Sequence, residues 1–210
     1  MSKAWIFDFD GTLVHSEAAI TQYFESITKK LAPHRLDVAK NVLIGPPLRQ
    51  TVAEILGDPE HPLIDEFVSA FIRMHDDDVI NNTTLYPNTY ETLTNFHQQG
   101  QEMAIATNKR LAPTIKILEH LHWEQFFTSV ECSDSEAVMR DKPQMIEGII
   151  QKDNDFKGAY FVGDTVGDSL SANISHVPFI KASYGYGQAQ DWSGVTVFQT
   201  INSLDELLKL

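Results

Sequence analysis

Short apolar runs alternate with helical patterns along most of the chain. The runs are rich in β-branched and aromatic residues and short enough for buried strands: Ala4–Phe9, Met103–Thr107, Phe127–Glu131, Ala159–Gly163, Val177–Lys181 and Val195–Phe198. Between most of them, apolar residues recur at the spacing of one helical face, as in Gln144–Lys152. This alternation predicts an α/β fold, a parallel sheet with helices on both of its faces.

Residues 16–83 interrupt this alternation. Apolar positions such as Ile20, Phe24 and Ile27 share one helical face there, and we find no strand pattern. We therefore predict two domains, an α/β core formed by residues 1–15 and 84–210 and an all-helical domain formed by residues 16–83.

Composition and charge limit the partners and the compartment. The net charge of −13 argues against nucleic acid, because a phosphate backbone is bound largely by Lys and Arg, although a small anionic substrate stays possible. Cys132 is the only cysteine, so no internal disulfide can form and a reducing compartment is favoured. No apolar run has the length of a membrane span and no signal peptide pattern is found. We expect a cytoplasmic protein without a membrane partner, and the oligomeric state stays open.

Two aspartates follow the first predicted strand in the stretch DFDGTL. An Asp-Gly turn would explain Asp10 and Gly11, but it does not explain Asp8. Alternate side chains of a strand project to the same side, so Asp8 and Asp10 are predicted to lie close together. Two neighbouring carboxylates require a cation between them or a retained proton.

Three other strand ends carry polar groups of matching chemistry. They are Thr107-Asn108-Lys109, Asp141-Lys142-Pro143 and the segment from Gly163 to Asp168. Ligands of open parallel sheets bind beyond the carboxyl ends of the strands. Each segment alone could be a helix cap or a solvated side chain. Together they offer a carboxylate nucleophile, a second carboxyl group, a hydroxyl, an ammonium group and metal ligands, which is the equipment for phosphoryl transfer.

In this order, the motifs DFDGTL, IATNK, DKP and GDTVGD resemble those of the haloacid dehalogenase superfamily of aspartate-nucleophile phosphatases. The resemblance covers nearly the whole chain and implies a Rossmann-like core with an inserted helical cap domain. TNK, VGDTVGD and SYGYG (residues 183–187) resemble phosphoglycolate phosphatases, whereas IGPPL (residues 44–48) is more similar to the 5′-nucleotidase and pyrophosphatase subgroups. His15 departs from the aspartate that these relatives often carry.

The resemblance implies a role for each carboxylate. Asp8 would attack phosphorus and become an aspartyl phosphate. Asp10 would act as acid and base, for which we expect a pKa raised by a neighbouring carboxylate and partial burial. Mg²⁺ would be held by Asp8, the main-chain carbonyl of Asp10 and Asp164, with Asp168 as a further ligand, because oxygen ligands suit Mg²⁺.

The remaining candidates would bind the substrate. Thr107, Asn108 and Lys142 are expected at the phosphoryl oxygens. In the cap, Gly45 and Arg49 would reach the leaving group, and the planar guanidinium of Arg49 could bind a substrate carboxylate or second phosphate. An ordinary solvated arginine is an equally good interpretation of Arg49. Lys109 is a weaker candidate.

The function that these residues favour is Mg²⁺-dependent hydrolysis of a small phosphorylated metabolite, most like that of phosphoglycolate phosphatase. A 5′-nucleotidase, a pyrophosphatase and a β-phosphoglucomutase-like phosphomutase stay open as alternatives. A phospholigand-binding protein of the same fold is the non-enzymatic alternative. Binding alone would not require the pair Asp8 and Asp10.

Overall fold

The computed structural model describes residues 3–210. The strands in this range are β1 (Ala4–Phe7), β2 (Val14–His15), β3 (Thr84–Leu85), β4 (Glu102–Thr107), β5 (Ser129–Cys132), β6 (Tyr160–Gly163), β7 (Phe179–Ala182) and β8 (Gln199–Ile201). The α-helices are α1 (Glu17–Leu31), α2 (Leu36–Asn41), α3 (Leu48–Leu56), α4 (Ile64–Asp78), α5 (Thr89–Gln98), α6 (Leu111–Leu121), α7 (Lys142–Lys152) and α8 (Val166–Ile174). Within this range no helix is both long and apolar enough to cross a bilayer.

Six strands form one parallel sheet in the order β5-β4-β1-β6-β7-β8. Strand β1 lies in its interior, where Ile6 pairs with Ala104 of β4 and Phe161 of β6. The carboxyl ends of β1, β4 and β6 are therefore neighbours, and the residues that follow them meet at one edge of the sheet.

Helices cover both faces of the sheet because alternate strand residues are apolar on each side. On one face, Trp5 and Phe7 pack in a cluster with Phe96 of α5 and Ile117 of α6. On the other face, Ile6 belongs to a cluster with residues of α7 and α8: Met145, Ile146, Ile149 and Ala172. The predicted α/β fold class is confirmed.

Helices α1 to α4 bury a third apolar cluster of their own. It includes Phe24 of α1, Val52 and Ile55 of α3 and Phe67 of α4, all of them buried. At the two ends of this helical segment, β2 and β3 pair antiparallel, Val14 opposite Leu85. The division of the chain at residues 16 and 83 stays a prediction.

Each predicted strand of the sheet differs from the observed bounds by one or more residues, and the contacts explain the differences in the first and the last. The first ends at Phe7, not at Phe9, because the carbonyl of Phe9 accepts the amides of Leu13 and Val14 and closes a turn. The predicted strand Val195–Phe198 is wrong. The last strand is β8, which pairs with β7 and buries Ile201, whereas Phe198 is 58% exposed.

Candidate active site

Asp8 begins the site at the carboxyl end of β1. Its amide donates to the carbonyl of Val162 in β6 at 2.8 Å, and its side chain is buried. Thr107, the last residue of β4, and Asp164, the first after β6, are also buried. The order of the strands therefore places a hydroxyl and two carboxyl groups at one edge of the sheet, as predicted from their positions at the strand ends.

Lys142 supplies the positive charge for this edge. It lies in the first turn of α7, whose N-terminus is fixed by a capping box between Asp141 and Gln144. Its Nζ lies 2.9 Å from Oδ1 of Asp8 and also donates to Asp168. Burial alone would lower the pKa of Lys142, but the two carboxylates raise it above its ordinary value. The ammonium group is therefore charged.

Three buried carboxylates lie together at this edge, and Lys142 pairs with two of them, Asp8 and Asp168. Oxygen atoms of Asp8, Asp164 and Asp168 lie within 4.8 Å of one another. Burial raises the pKa of Asp8 to about 6, and Asp168 adds to this while Lys142 opposes it. Burial and the charges of Asp168 and Asp8 raise the pKa of Asp164 as well. Such a surplus of buried carboxylate oxygens is the kind of donor set that binds a hard divalent cation.

Asp168 is held by more hydrogen bonds than the other two carboxylates. Its Oδ2 accepts from the amides of Asp164 and Thr165 and from the Thr165 hydroxyl, at 2.7 to 3.2 Å. Its Oδ1 faces Lys142. Asp168 therefore orients Lys142 and the start of α8.

The loop after β7 holds Asp164 in place. The amide of Tyr186 donates to Oδ2 of Asp164 at 2.6 Å. A Cβ atom on Gly185 would lie 2.3 Å from the Cβ of Asp164, and one on Gly11, whose φ is +87°, would lie 2.4 Å from Oδ2 of Asp164. Only glycine permits these approaches. The glycine-rich stretch SYGYG thus supports a site carboxylate.

Asp10 has different neighbours from the three clustered carboxylates. Nζ of Lys109 lies 2.9 and 3.2 Å from its two oxygens, and the Ser16 hydroxyl donates to Oδ1 at 2.5 Å. Burial would raise the pKa of Asp10, but the charge of Lys109 and the hydrogen bond from Ser16 lower it below its usual value. The expected raised pKa of Asp10 is therefore wrong in this conformation, and a raised pKa is found on Asp8 instead.

Lys109 links Asp10 to the helical segment. Its Nζ lies 3.2 Å from Nε2 of His75 in α4, and Nδ1 of the same ring lies 3.3 Å from Asp76. Asp76 also pairs with Arg110. Burial and the charge of Lys109 lower the pKa of His75 to about 4, so the imidazole is neutral and accepts from the lysine. Helix α4 and the sheet edge are thus joined by a chain of polar contacts.

Most of the predicted substrate-binding residues line one cleft between the sheet edge and the helical segment. Asp8, Asp10 and Thr107 lie on its wall together with Asn108 and Gly45. The Asn108 side chain donates to the carbonyl of Gly45 at 2.8 Å, which ties the core to the loop before α3. Thr107 also fixes this turn, because its hydroxyl accepts from the amide of Lys109 at 3.2 Å.

Arg49 is placed elsewhere. Among the described residues, the cleft is lined by its neighbour Leu48 but not by Arg49. The Arg49 side chain is 62% exposed and pairs with Asp65, which is 84% exposed. Adjacent helical residues project about 100° apart, so α3 can present Leu48 or Arg49 to the cleft but not both. The structure therefore places Arg49 outside the cleft that it was predicted to reach.

A family model described as haloacid dehalogenase-like hydrolase matches residues 5–182 of the chain. The chain belongs to this haloacid dehalogenase-like hydrolase family. The predicted resemblance is thereby confirmed, and the chain is a hydrolase by family.

Curated relatives and solved structures agree with this family. A phosphoglycolate phosphatase of Rhodobacter capsulatus is 30% identical over 195 residues, which cover 89% of this chain and 86% of that protein. A phosphoglycolate phosphatase of Agrobacterium fabrum is 31% identical, and the match covers 89% of this chain and 82% of that protein. The structure of a haloacid dehalogenase-like family hydrolase of Streptococcus pneumoniae superposes with a TM-score of 0.81 at 23% identity. The superposition covers 99% of this chain and 97% of that chain. This last similarity concerns the fold.

Several residues of this hydrolase site were not found from the sequence. Ser16, His75 and Tyr186 contact Asp10, Lys109 and Asp164 across 6 to 34 residues of sequence. No local pattern marks Ser16 or His75, whereas Tyr186 lies in the glycine-rich stretch SYGYG. The motif TNK did include Lys109, and its position one residue after Asn108 was the available signal.

Proposed function

We propose that the chain is a Mg²⁺-dependent phosphatase that hydrolyses a small phosphomonoester through an aspartyl-phosphate intermediate. The observation that carries the proposal is the buried carboxylate of Asp8, held 2.9 Å from Lys142 beside two further carboxylates and open to the cleft that Asp10 also lines. A carboxylate in this position can attack phosphorus while a neighbouring cation stabilises the oxygens of the phosphoryl group.

In this proposal, Asp8 is the nucleophile, and Lys142 and Thr107 bind the oxygens of the transferring group. The charge of that group is spread over three oxygens in the transition state, so a fixed ammonium group and hydroxyl favour the transition state over the bound ester. Asn108 assists through its backbone amide, and its side chain keeps the Gly45 loop over the site.

Asp10 is the acid and base of the proposed mechanism. It protonates the leaving oxygen and then takes a proton from the attacking water. Because Lys109 and Ser16 stabilise its ionised form, Asp10 has to exchange these contacts before it can carry a proton. Movement of the cap would withdraw His75 from Lys109, and a change in the Lys109 side chain would then permit this exchange.

The acidic cluster fits a Mg²⁺ ion by its chemistry, since it offers only hard oxygen donors and more negative than positive charge. Asp8, Asp164 and the carbonyl of Asp10 would hold the ion, and Asp168, occupied by Lys142 and three other donors, would act mainly by orienting them. A bound Mg²⁺ would neutralise part of the charge on the phosphoryl group and fix its orientation.

Phosphoglycolate is the first substrate to assay, because the relatives in R. capsulatus and A. fabrum are named for it. Nucleoside monophosphates, pyrophosphate and sugar phosphates stay open, as does phosphomutase chemistry, which uses the same core groups. The alternative of a binding protein is disfavoured, because an Asp8 nucleophile and an Asp10 acid are not needed to hold a ligand.

Hydrolysis of p-nitrophenyl phosphate is expected to require Mg²⁺ and to stop after exhaustive chelation. The ion should also raise the melting temperature by roughly 5–10 °C at a hundredfold excess over its Kd, because binding then stabilises the fold by about 2.7 kcal/mol. Asp164→Asn should lose this shift. The matched control is Asp77→Asn, which removes an exposed carboxylate of the cap and should keep it. Full activity in the chelated enzyme would contradict the proposal.

Arg49→Ala is expected to change neither kcat nor KM by more than about twofold, on charged and uncharged phosphomonoesters alike. The reason is the exposed pair with Asp65, since such pairs contribute about 0–1 kcal/mol. The measurement is steady-state kinetics with phosphoglycolate and p-nitrophenyl phosphate. A selective loss on phosphoglycolate would mean that α3 turns on binding to bring Arg49 into the cleft.

A further inference from the structure

Lys109 is a buried cation beside the reacting groups. Its side chain is 5% exposed and lines the cleft, two residues after Thr107. Its Nζ donates to both oxygens of Asp10, at 2.9 and 3.2 Å, and to Nε2 of His75 at 3.2 Å. Burial and the charge of Lys109 lower the pKa of His75 to about 4, so the ring is neutral. In the described part of the chain, Asp10 is therefore the anion that balances this ammonium group.

The proposed mechanism opens the ion pair of Lys109 and Asp10. Asp10 has to leave Lys109 before it can carry a proton to the leaving oxygen. Breaking a buried ion pair is strongly unfavourable when one of the charges is left without a partner. Lys109 therefore requires another anion at the same point of the cleft when the substrate binds. The phosphoryl oxygens are bound by Lys142 and Thr107 in this mechanism, so the leaving group is the part of the substrate beside Lys109.

A carboxylate next to the leaving oxygen would lie within reach of Lys109. In glycolate, the carboxylate is bonded to the carbon atom that carries the leaving oxygen. Asp10 contacts this oxygen when it transfers the proton, and Lys109 contacts Asp10. The carboxylate, the leaving oxygen and Nζ of Lys109 are therefore neighbours. A carboxylate at the far end of a longer leaving group would not be placed in this way.

Two further hydrogen-bond donors line the same cleft. Thr51 of α3 is buried, and its hydroxyl lies 3.4 Å from the carbonyl of Pro47, beyond the usual length of a hydrogen bond. Arg110 lines the cleft as well and pairs with Asp76. Lys109 differs from both because the proposed mechanism itself removes its partner.

We propose that Lys109 determines specificity by exchanging Asp10 for a carboxylate that the leaving group carries beside the leaving oxygen. The substrate class is then a phosphate ester of an α-hydroxy carboxylate, of which phosphoglycolate is the smallest. The inference rests on the proposed phosphatase function and adds to it a residue that reads the leaving group. Binding of the carboxylate and release of Asp10 become one event, because the group that takes Lys109 sets Asp10 free. A neutral ester leaves Lys109 on Asp10.

Phosphoglycolate and isobutyl phosphate provide the test, because their leaving groups have the same branched shape and differ in charge. The Mg²⁺-loaded wild type should have the higher kcat/KM for phosphoglycolate. Lys109→Met removes the ammonium group and keeps an unbranched side chain. We expect it to lower kcat/KM for phosphoglycolate roughly ten- to a hundredfold more than for isobutyl phosphate, as the loss of a charge-assisted hydrogen bond does. Lys109→Arg keeps the charge and should keep most of the preference.

Lys116→Met is the matched control. Lys116 lies in α6 and also donates to α4, at the carbonyl of Asp76, but it is exposed and does not line the cleft. This variant should keep the wild-type ratio between the two esters. Equal losses on both esters in Lys109→Met, or a wild type without preference for phosphoglycolate, would overturn the inference and leave the phosphatase function standing. A wild type that hydrolyses neither ester nor p-nitrophenyl phosphate would instead reject the phosphatase function.

Discussion

Asp8→Asn is expected to lower phosphatase activity on the order of 10⁶-fold, below detection for most substrates, as the loss of a covalent nucleophile does in other enzymes. An amide oxygen is a poor nucleophile and cannot form the aspartyl phosphate. The substitution keeps the shape of the side chain. Lys142 keeps Asp168 as a partner, and repulsion among three buried carboxylates decreases, so no unpaired buried charge results. The variant should therefore fold.

The measurement for Asp8→Asn is kcat on p-nitrophenyl phosphate, together with mass spectrometry of acid-quenched enzyme. Wild-type protein should carry a phosphoryl adduct during turnover and the variant none. Asp77→Asn, which changes an exposed aspartate of α4, is the matched control and should retain both signals. Turnover by folded Asp8→Asn near the wild-type rate would exclude Asp8 as the nucleophile.

The positions that the sequence predicted well are those fixed by the sheet. Asp8, Thr107 and Asp164 follow neighbouring parallel strands, and the topology brings them together whatever the helices do. Lys142 was predictable for a similar reason, since the capping box at Asp141 and Gln144 fixes where α7 begins. Sequence signals that mark where a strand ends or a helix begins therefore also predict where the polar residue beside that end lies.

Contacts between the helical segment and the core were not predictable in this way. The apolar periodicity of the segment predicts helices, but it does not predict how each helix is rotated about its axis. A rotation by the angle between adjacent residues, about 100°, would exchange Leu48 for Arg49 at the cleft. The same holds for His75, whose contact with Lys109 depends on where α4 lies relative to the loop that follows β4. The pKa of Asp10 was mispredicted because the prediction considered a neighbouring carboxylate and partial burial, whereas Lys109 and Ser16 outweigh burial and lower it.

The last strand shows a further source of error. The run Val195–Phe198 has the alternation of a strand, but it follows a turn at Gly194, whose φ is +79°. The residues that pair with β7 come four positions later, where Ile201 is buried. Propensity identified a strand in this region, and tertiary pairing decided its bounds.

Asp10→Asn is expected to reduce kcat by about 10²–10⁴-fold, the usual contribution of general acid-base catalysis, with a smaller change in KM. Asn keeps the shape and can still accept from Ser16 and Lys109, but it cannot carry a proton. In the first step, formation of the aspartyl phosphate, the rate should fall more with isobutyl phosphate than with p-nitrophenyl phosphate. Nitrophenolate leaves without protonation, whereas an alkoxide does not.

The second step separates an acid-base role of Asp10 from a structural one. Hydrolysis of the aspartyl phosphate needs a base for either substrate, so Asp10→Asn should accumulate the phosphoryl adduct with p-nitrophenyl phosphate, visible as a burst of nitrophenolate followed by slow turnover. Ser16→Ala is the control: it removes one hydrogen bond to Asp10 and leaves the carboxyl group, so it should show no such accumulation. An unchanged kcat would reject the acid-base role, and equal losses on both esters without a burst would assign Asp10 to holding Lys109 and α4 in place.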